Sequence, residues 1–248
     1  MRDDPLSLRS LKLRRAQHHL NETLRLIKAY GNRRPYRVVK ESELPVVEGL
    51  PDGVSIVSGV QILRGPPSSI SAAFGDTLQD FKSALDHSVY ELSRLNGATG
   101  KALESTEFIV GEKEGWYLSN RQQRLGTLPA RALTYIDGLQ PYLGVDPANP
   151  LRDVLRVLHE LARIDRHRHI HLAGMHLAYP VVAMVPRPGA NPDALVPPGS
   201  NPVDVDVHMP VRVSIQETLT GPRLIREMLY EIRDGVSEII LELARHRP

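Results

Sequence analysis

Across its 248 residues the chain has no cysteine. That excludes a disulfide framework, a thiolate metal site and a cysteine nucleophile. It also lacks any uncharged apolar run near the roughly 20 residues needed to cross a bilayer as a helix. The opening MRDDPLSLRSLKLRR has no apolar stretch of the signal-peptide kind. Together these absences predict a cytoplasmic protein that does not enter a membrane. Short functional motifs are missing too. There is no GxGxxG, GxxxxGK[ST], HExxH or GxSxG, and GPPSS and GDT do not follow the strand-then-glycine pattern of a phosphate cradle. Formal net charge is only +2, so no global field draws the chain to nucleic acid.

What is present is ordinary globular material, with 41% hydrophobic and 24% charged residues, enough to bury a substantial core. Of the 31 basic residues, 25 are Arg and 6 are Lys. Arg favours planar, two-pronged contacts with carboxylates and phosphates, although GC-rich coding also enriches it.

Periodicity separates helices from strands. Leu13, Ala16, Leu20, Leu24 and Ile27 share one helical face, closed by Gly31. YRVVK and VSIVSGVQI read as strands around an LPDG turn. A second helix is expected from Asp76, with Asp76 and Gln79 forming a capping box, through Phe81, Leu85, Val89, Leu92 and Leu95 to Gly97. TEFIVGEKEGWYLS reads as two short strands or a hairpin, and the next segment as short helices interrupted at Pro129. Asn149 and Pro150 start a helix whose stripe is Leu151, Val154, Leu155, Leu158 and Leu161. HLAYPVVAMV reads as a strand. In VDVDVHMPVRVSI, valines alternate with Asp204, Asp206, His208 and Arg212. A last helix turns Leu224, Met228, Ile232, Val236, Ile239 and Leu243 inward. The expected fold is a single α+β domain over residues 1–248, an antiparallel sheet covered by several long helices, with a Pro-rich surface loop at 186–202.

Two places can carry chemistry. On the second helix Asp80, His87 and Glu91 fall on one stripe around the small Ala84. The other place is RIDRHRHIHLAGMH, residues 163–176, which holds four histidines and three arginines. If helical to His171, it lines up His159, Arg163, His167 and His171 as a basic ridge suited to phosphate. If extended from about residue 166, Asp165, His167, His169 and His171 share a strand face suited to a metal. Asp165 stands where the apolar stripe of its helix would continue, so it needs a partner such as Arg166, Arg168 or His87. The plainer account of the stretch is a cationic helix end stabilised by the helix dipole. Asp204, Asp206 and His208 have ligand spacing, but any solvent face of a strand looks the same.

GDTLQDFKSALDHSVYELSRLNG and LHELARIDRHRHIHL, with Arg15–Leu20 as an R-A-x-x-H-L core, resemble an uncharacterised bacterial family. Its members carry a GD-x-L-x-x-L-R-S-A-L-D-H helix and a later N-I-D-K-H-R motif. The resemblance points to Asp86, His87, Asp165, Arg166, His167 and Arg168. Lys82 stands where the family has Arg, and Arg163 where it has Asn. The family's Arg-x4-His spacing, here Lys82–His87, is also similar to HEPN-type proteins, many of them metal-independent ribonucleases.

Three functional readings follow. In the first, a polar pocket between the two helices binds a small anion, a metal or a partner segment through Asp80, Asp86, Glu91, Asp165 and Arg166. In the second, the chain is a HEPN-like ribonuclease in which His87 and His167 exchange protons and Arg166 or Arg168 holds phosphate. In the third, the same groups only lock the fold. The partner would be RNA or another anionic ligand. No cofactor or metal is assigned.

Overall fold

A computed structural model describes residues 5–40, 58–167, 170, 172–176, 211–215 and 223–248. Helix α1 (Pro5–Asn32) leads into strands β1 (Tyr36–Lys40) and β2 (Ser58–Ile62). Then come α2 (Ser68–Leu95), α3 (Gly100–Glu104), α4 (Glu114–Leu125) and α5 (Ala130–Gly138). A 3-10 turn at Pro141–Leu143 precedes α6 (Leu151–His167). The described chain closes with β3 (Leu172–His176), β4 (Val211–Ile215), β5 (Arg223–Leu224) and α7 (Ile225–Arg245).

The protein is α+β in the coarse sense, but helix dominates: seven helices stand beside a two-stranded and a three-stranded antiparallel sheet among the described residues. β1 pairs with β2 from Tyr36 opposite Ile62 to Lys40 opposite Ser58. In the second sheet β3 runs against β4, Leu172 opposite Ile215 and His176 opposite Val211, and β5 adds a two-residue edge. The expected α+β class thus holds in that coarse sense, with sheets that are small among the described residues. The helices bury their stripes largely against one another: α2 packs against α1, α6 and α7. The segments at 177–185, 186–202 and 203–210 lie outside the described residues.

Helix α2 begins eight residues before the expected start at Asp76. Asp76 is an exposed helical residue, not a cap. Gly75, which reads locally as a breaker, is a contact glycine. A Cβ placed on it would lie 2.0 Å from Oδ1 of Asp165 on α6. The far end of α2 is as expected: it stops at Leu95, and Gly97 at φ 89° supplies the left-handed turn. Helix α1 buries Ala16 and Leu20 fully and Tyr30 almost so. Helix α7 buries Met228, Ile232, Val236, Ile239 and Leu243, and α5 starts directly after Pro129.

The expected strand pair in residues 106–119 is also corrected. Phe108, Ile109 and Val110 are buried but have no ladder partner among the described residues, and Glu114 already opens α4. Side chains replace the ladder. The Phe108 N–H donates to Oδ1 of Asp86 at 3.1 Å. The Gly111 N–H donates to Oε1 of Gln140 at 2.8 Å, and the Gln140 amide donates back to the Ile109 carbonyl at 3.4 Å. Among the described residues no helix is long and apolar enough to cross a membrane.

Candidate anion site between two helices

Two stripes of α2 carry its polar groups. Gly75, Gln79, Lys82 and Asp86 recur at spacings of four, three and four, so they line one face. Asp76, Asp80 and His87 lie on a neighbouring stripe, turned by about 100°. The first stripe meets α6 and the segment before α4. The second meets α1.

On the α6 side, the bare backbone at Gly75 lets the Asp165 carboxylate approach it. The Gln79 amide donates to the Ala162 carbonyl at 2.8 Å and to Oδ2 of Asp165 at 3.3 Å. The Ser71 hydroxyl donates to the carbonyl of buried Ile170 at 2.8 Å, fastening the chain just beyond α6. These contacts fix the last turns of α6 against α2.

Beside this seam lies a cluster of charged groups. Lys82 Nζ donates to Oε1 of Glu107 at 3.3 Å, and Arg124 reaches the other oxygen of Glu107 at 3.7 Å. Burial pushes the Asp86 carboxyl up to about 6. Glu107 adds to the rise, while Lys82, the Phe108 N–H and Arg166 hold it back. Burial also holds the His159 imidazole below its ordinary range, with Lys82, Arg163 and Arg166 acting in the same direction and Glu112 opposing. Nδ1 of His159 is buried without a hydrogen-bond partner among the described residues. Lys82 and Arg166 thus act on both Asp86 and His159. The exposed Arg166 makes one hydrogen bond among the described residues, to the Ala162 carbonyl at 3.4 Å.

The α1 side is different. Asp80 is buried, with Oδ2 lying 3.1 Å from Nε of Arg15 and 3.6 Å from Nδ1 of His19. Neither approach has hydrogen-bond geometry, leaving that oxygen ion-paired but without a hydrogen bond among the described residues. Burial lowers the His87 pKa, with Lys12 in the same direction and Glu91 opposing. Glu91 is tied to Arg94 at 2.9 Å.

The structure therefore brings Asp86 and Arg166 into one electrostatic neighbourhood and seats Asp165 next to it. It gives Asp80 to α1, and the charged neighbours of His87 are Lys12 and Glu91. His167 is the last residue of α6; its side chain, and Arg168 altogether, lie outside the described residues. So do Asp204, Asp206 and His208. Of the expected strand face Asp165, His167, His169 and His171, the first two are helical, which corrects that arrangement for them; His169 and His171 lie outside the described residues. Among the described residues Asp165 accepts a hydrogen bond from Gln79; Arg168, one of its expected partners, lies outside them. Sequence reasoning missed Gln79 at the seam and Lys82, Glu107 and Glu112 in the charged cluster beside it, and saw His159 only as part of a ridge. The 4-3-4 spacing of Gly75, Gln79, Lys82 and Asp86 was the available signal.

Among the described residues no three His, Asp or Glu side chains converge as metal ligands would. Compared with family models, curated proteins and solved structures, the chain matches none.

Proposed function

We propose that the chain is a binding protein whose α2–α6 charged cluster takes a small oxyanion. The observation that carries this reading is Arg166: an exposed residue with one long hydrogen bond among the described residues, acting together with Lys82 on both Asp86 and His159. Phosphate or a carboxylate suits a guanidinium's planar fork, and charge-assisted bonds of that kind contribute about 1.5–3 kcal/mol each. Titration with inorganic phosphate and with sulfate, followed by calorimetry, tests it. Saturable binding that weakens at least tenfold in Arg166→Ala is expected. No saturable heat, or unchanged affinity in that variant, overturns it.

A ribonuclease reading is favoured by one further observation, the His159 imidazole in the field of the same two cations. It predicts metal-independent cleavage of labelled RNA, lost in His159→Ala. Intact RNA after incubation with folded protein removes it. Loss of cleavage in His87→Ala instead would return the proton-transfer role to His87.

A further inference from the structure

The charge of α1 is out of proportion to that of the chain. Its 28 residues hold six Lys or Arg against the single acid Glu22, a net of +5 in a protein whose total is +2. Its buried face, Ala16, Leu20, Thr23 and Tyr30, lies inward, largely along α2. On the opposite side Leu11, Arg14, His18, Asn21, Arg25 and Lys28 are all exposed. Their alternating spacing of three and four residues makes one continuous stripe. The nearby acids are largely engaged: Glu22 clasps Arg25 through bonds of 2.7 and 2.6 Å, and Asp80 faces Arg15 and His19. Arg14 and Lys28 have no ion-pair partner among the described residues, and the exposed Arg33 extends the positive edge past the helix end.

We infer that the outer face of α1 is a docking surface for duplex DNA. Arg14 and Lys28 are fourteen residues apart, about 21 Å along the axis. That span exceeds the roughly 12 Å width of the B-form major groove, which admits an α-helix. The cationic ends therefore reach phosphates on both sides, while His18 and Asn21 stand over the groove between them. A membrane surface fits poorly, since an interfacial helix needs an apolar face to insert and that of α1 is turned into the core. A single strand fits poorly as well, because the stripe offers no Phe, Tyr or Trp for bases to stack on. A-form RNA closes its major groove to side chains. The surface is separate from the α2–α6 charged cluster, so either can fail without the other.

Fluorescence anisotropy of the full chain with a labelled duplex of about 20 base pairs tests this. At roughly 50 mM salt, saturable binding is expected. With about four phosphate contacts the log–log salt slope should fall near −3 to −4. Arg14→Ala combined with Lys28→Ala replaces two exposed side chains, so the fold should survive, as circular dichroism would verify. This variant should weaken binding at least tenfold and flatten the slope by about 2. Lys101→Ala with Arg131→Ala, two exposed cations elsewhere, should leave affinity within twofold. Absence of binding, unchanged affinity in the α1 variant, an equal loss in the control variant, or tighter binding to RNA duplex, single strand or anionic vesicles would each overturn the assignment.

Discussion

Asp86 binds its proton more tightly in the folded chain than in the unfolded one. Its contribution to stability is therefore fullest below its ordinary 3.8 and is lost as pH rises from there to about 6. Above that the ionised carboxyl costs up to about 3 kcal/mol. Asp86→Asn keeps an oxygen to accept the Phe108 N–H but removes the charge. At pH 7.5 it should raise the melting midpoint by about 3–8 °C, and at pH 3 it should change little. A drop at both pH values would mean that Asp86 instead locks the segment at Phe108 onto α2. Gly75 makes a second test at this scale. Gly75→Ala drives a methyl into Asp165, an overpacking worth about 1–3 kcal/mol. In an Asp165→Ala background the same change should instead be neutral or stabilise by up to about 1 kcal/mol, since Ala is the better helix former. Chemical denaturation of the four chains reads the coupling directly.

Elements show why some of the sequence was legible and some was not. The apolar faces of α1, α6 and α7 repeat over many turns, so their period survives any local misreading. The start of α2 was misplaced because a glycine before an aspartate is locally indistinguishable from a boundary. What requires a glycine inside the helix there is a carboxylate 90 positions later. The segment at 106–111 failed for a related reason. Phe108, Ile109 and Val110 are as apolar and buried as a central strand, yet their hydrogen bonds come from the side chains of Asp86 and Gln140, which no periodicity reports. The candidate site divides the same way: Asp86, Asp165 and Arg166 stand in recognisable motifs, whereas Lys82, Glu107 and His159 join them only through the packing of three distant segments. Gln140 is fully buried and bonds Gly111, Ile109 and Ile136. Gln140→Ala strands those groups and should lower stability by about 2–4 kcal/mol. Amide exchange should speed first at Gly111. Unchanged protection there would mean that the segment is held by its apolar side chains alone.

At the scale of the molecule, α2 is the common neighbour of α1, α6 and α7. Phe74 and Phe81, at 0% and 1% exposure, belong to the same apolar core as Leu20 of α1, Leu158 of α6 and Ile232 of α7. A large ring on such a spine fixes several helices at once, so its loss should not stay local. Truncating a fully buried Phe costs about 3–5 kcal/mol, part transfer and part cavity, a large fraction of the total stability of an ordinary domain. Phe81→Ala is therefore expected to lower a single melting transition, and hydrogen exchange should accelerate together in α1, α6 and α7. If exchange instead quickened in α2 and α6 while α1 and α7 kept their protection, the helices would be separable units. The DNA-facing stripe of α1 would then rest on a more independent platform than the charged cluster around Asp86.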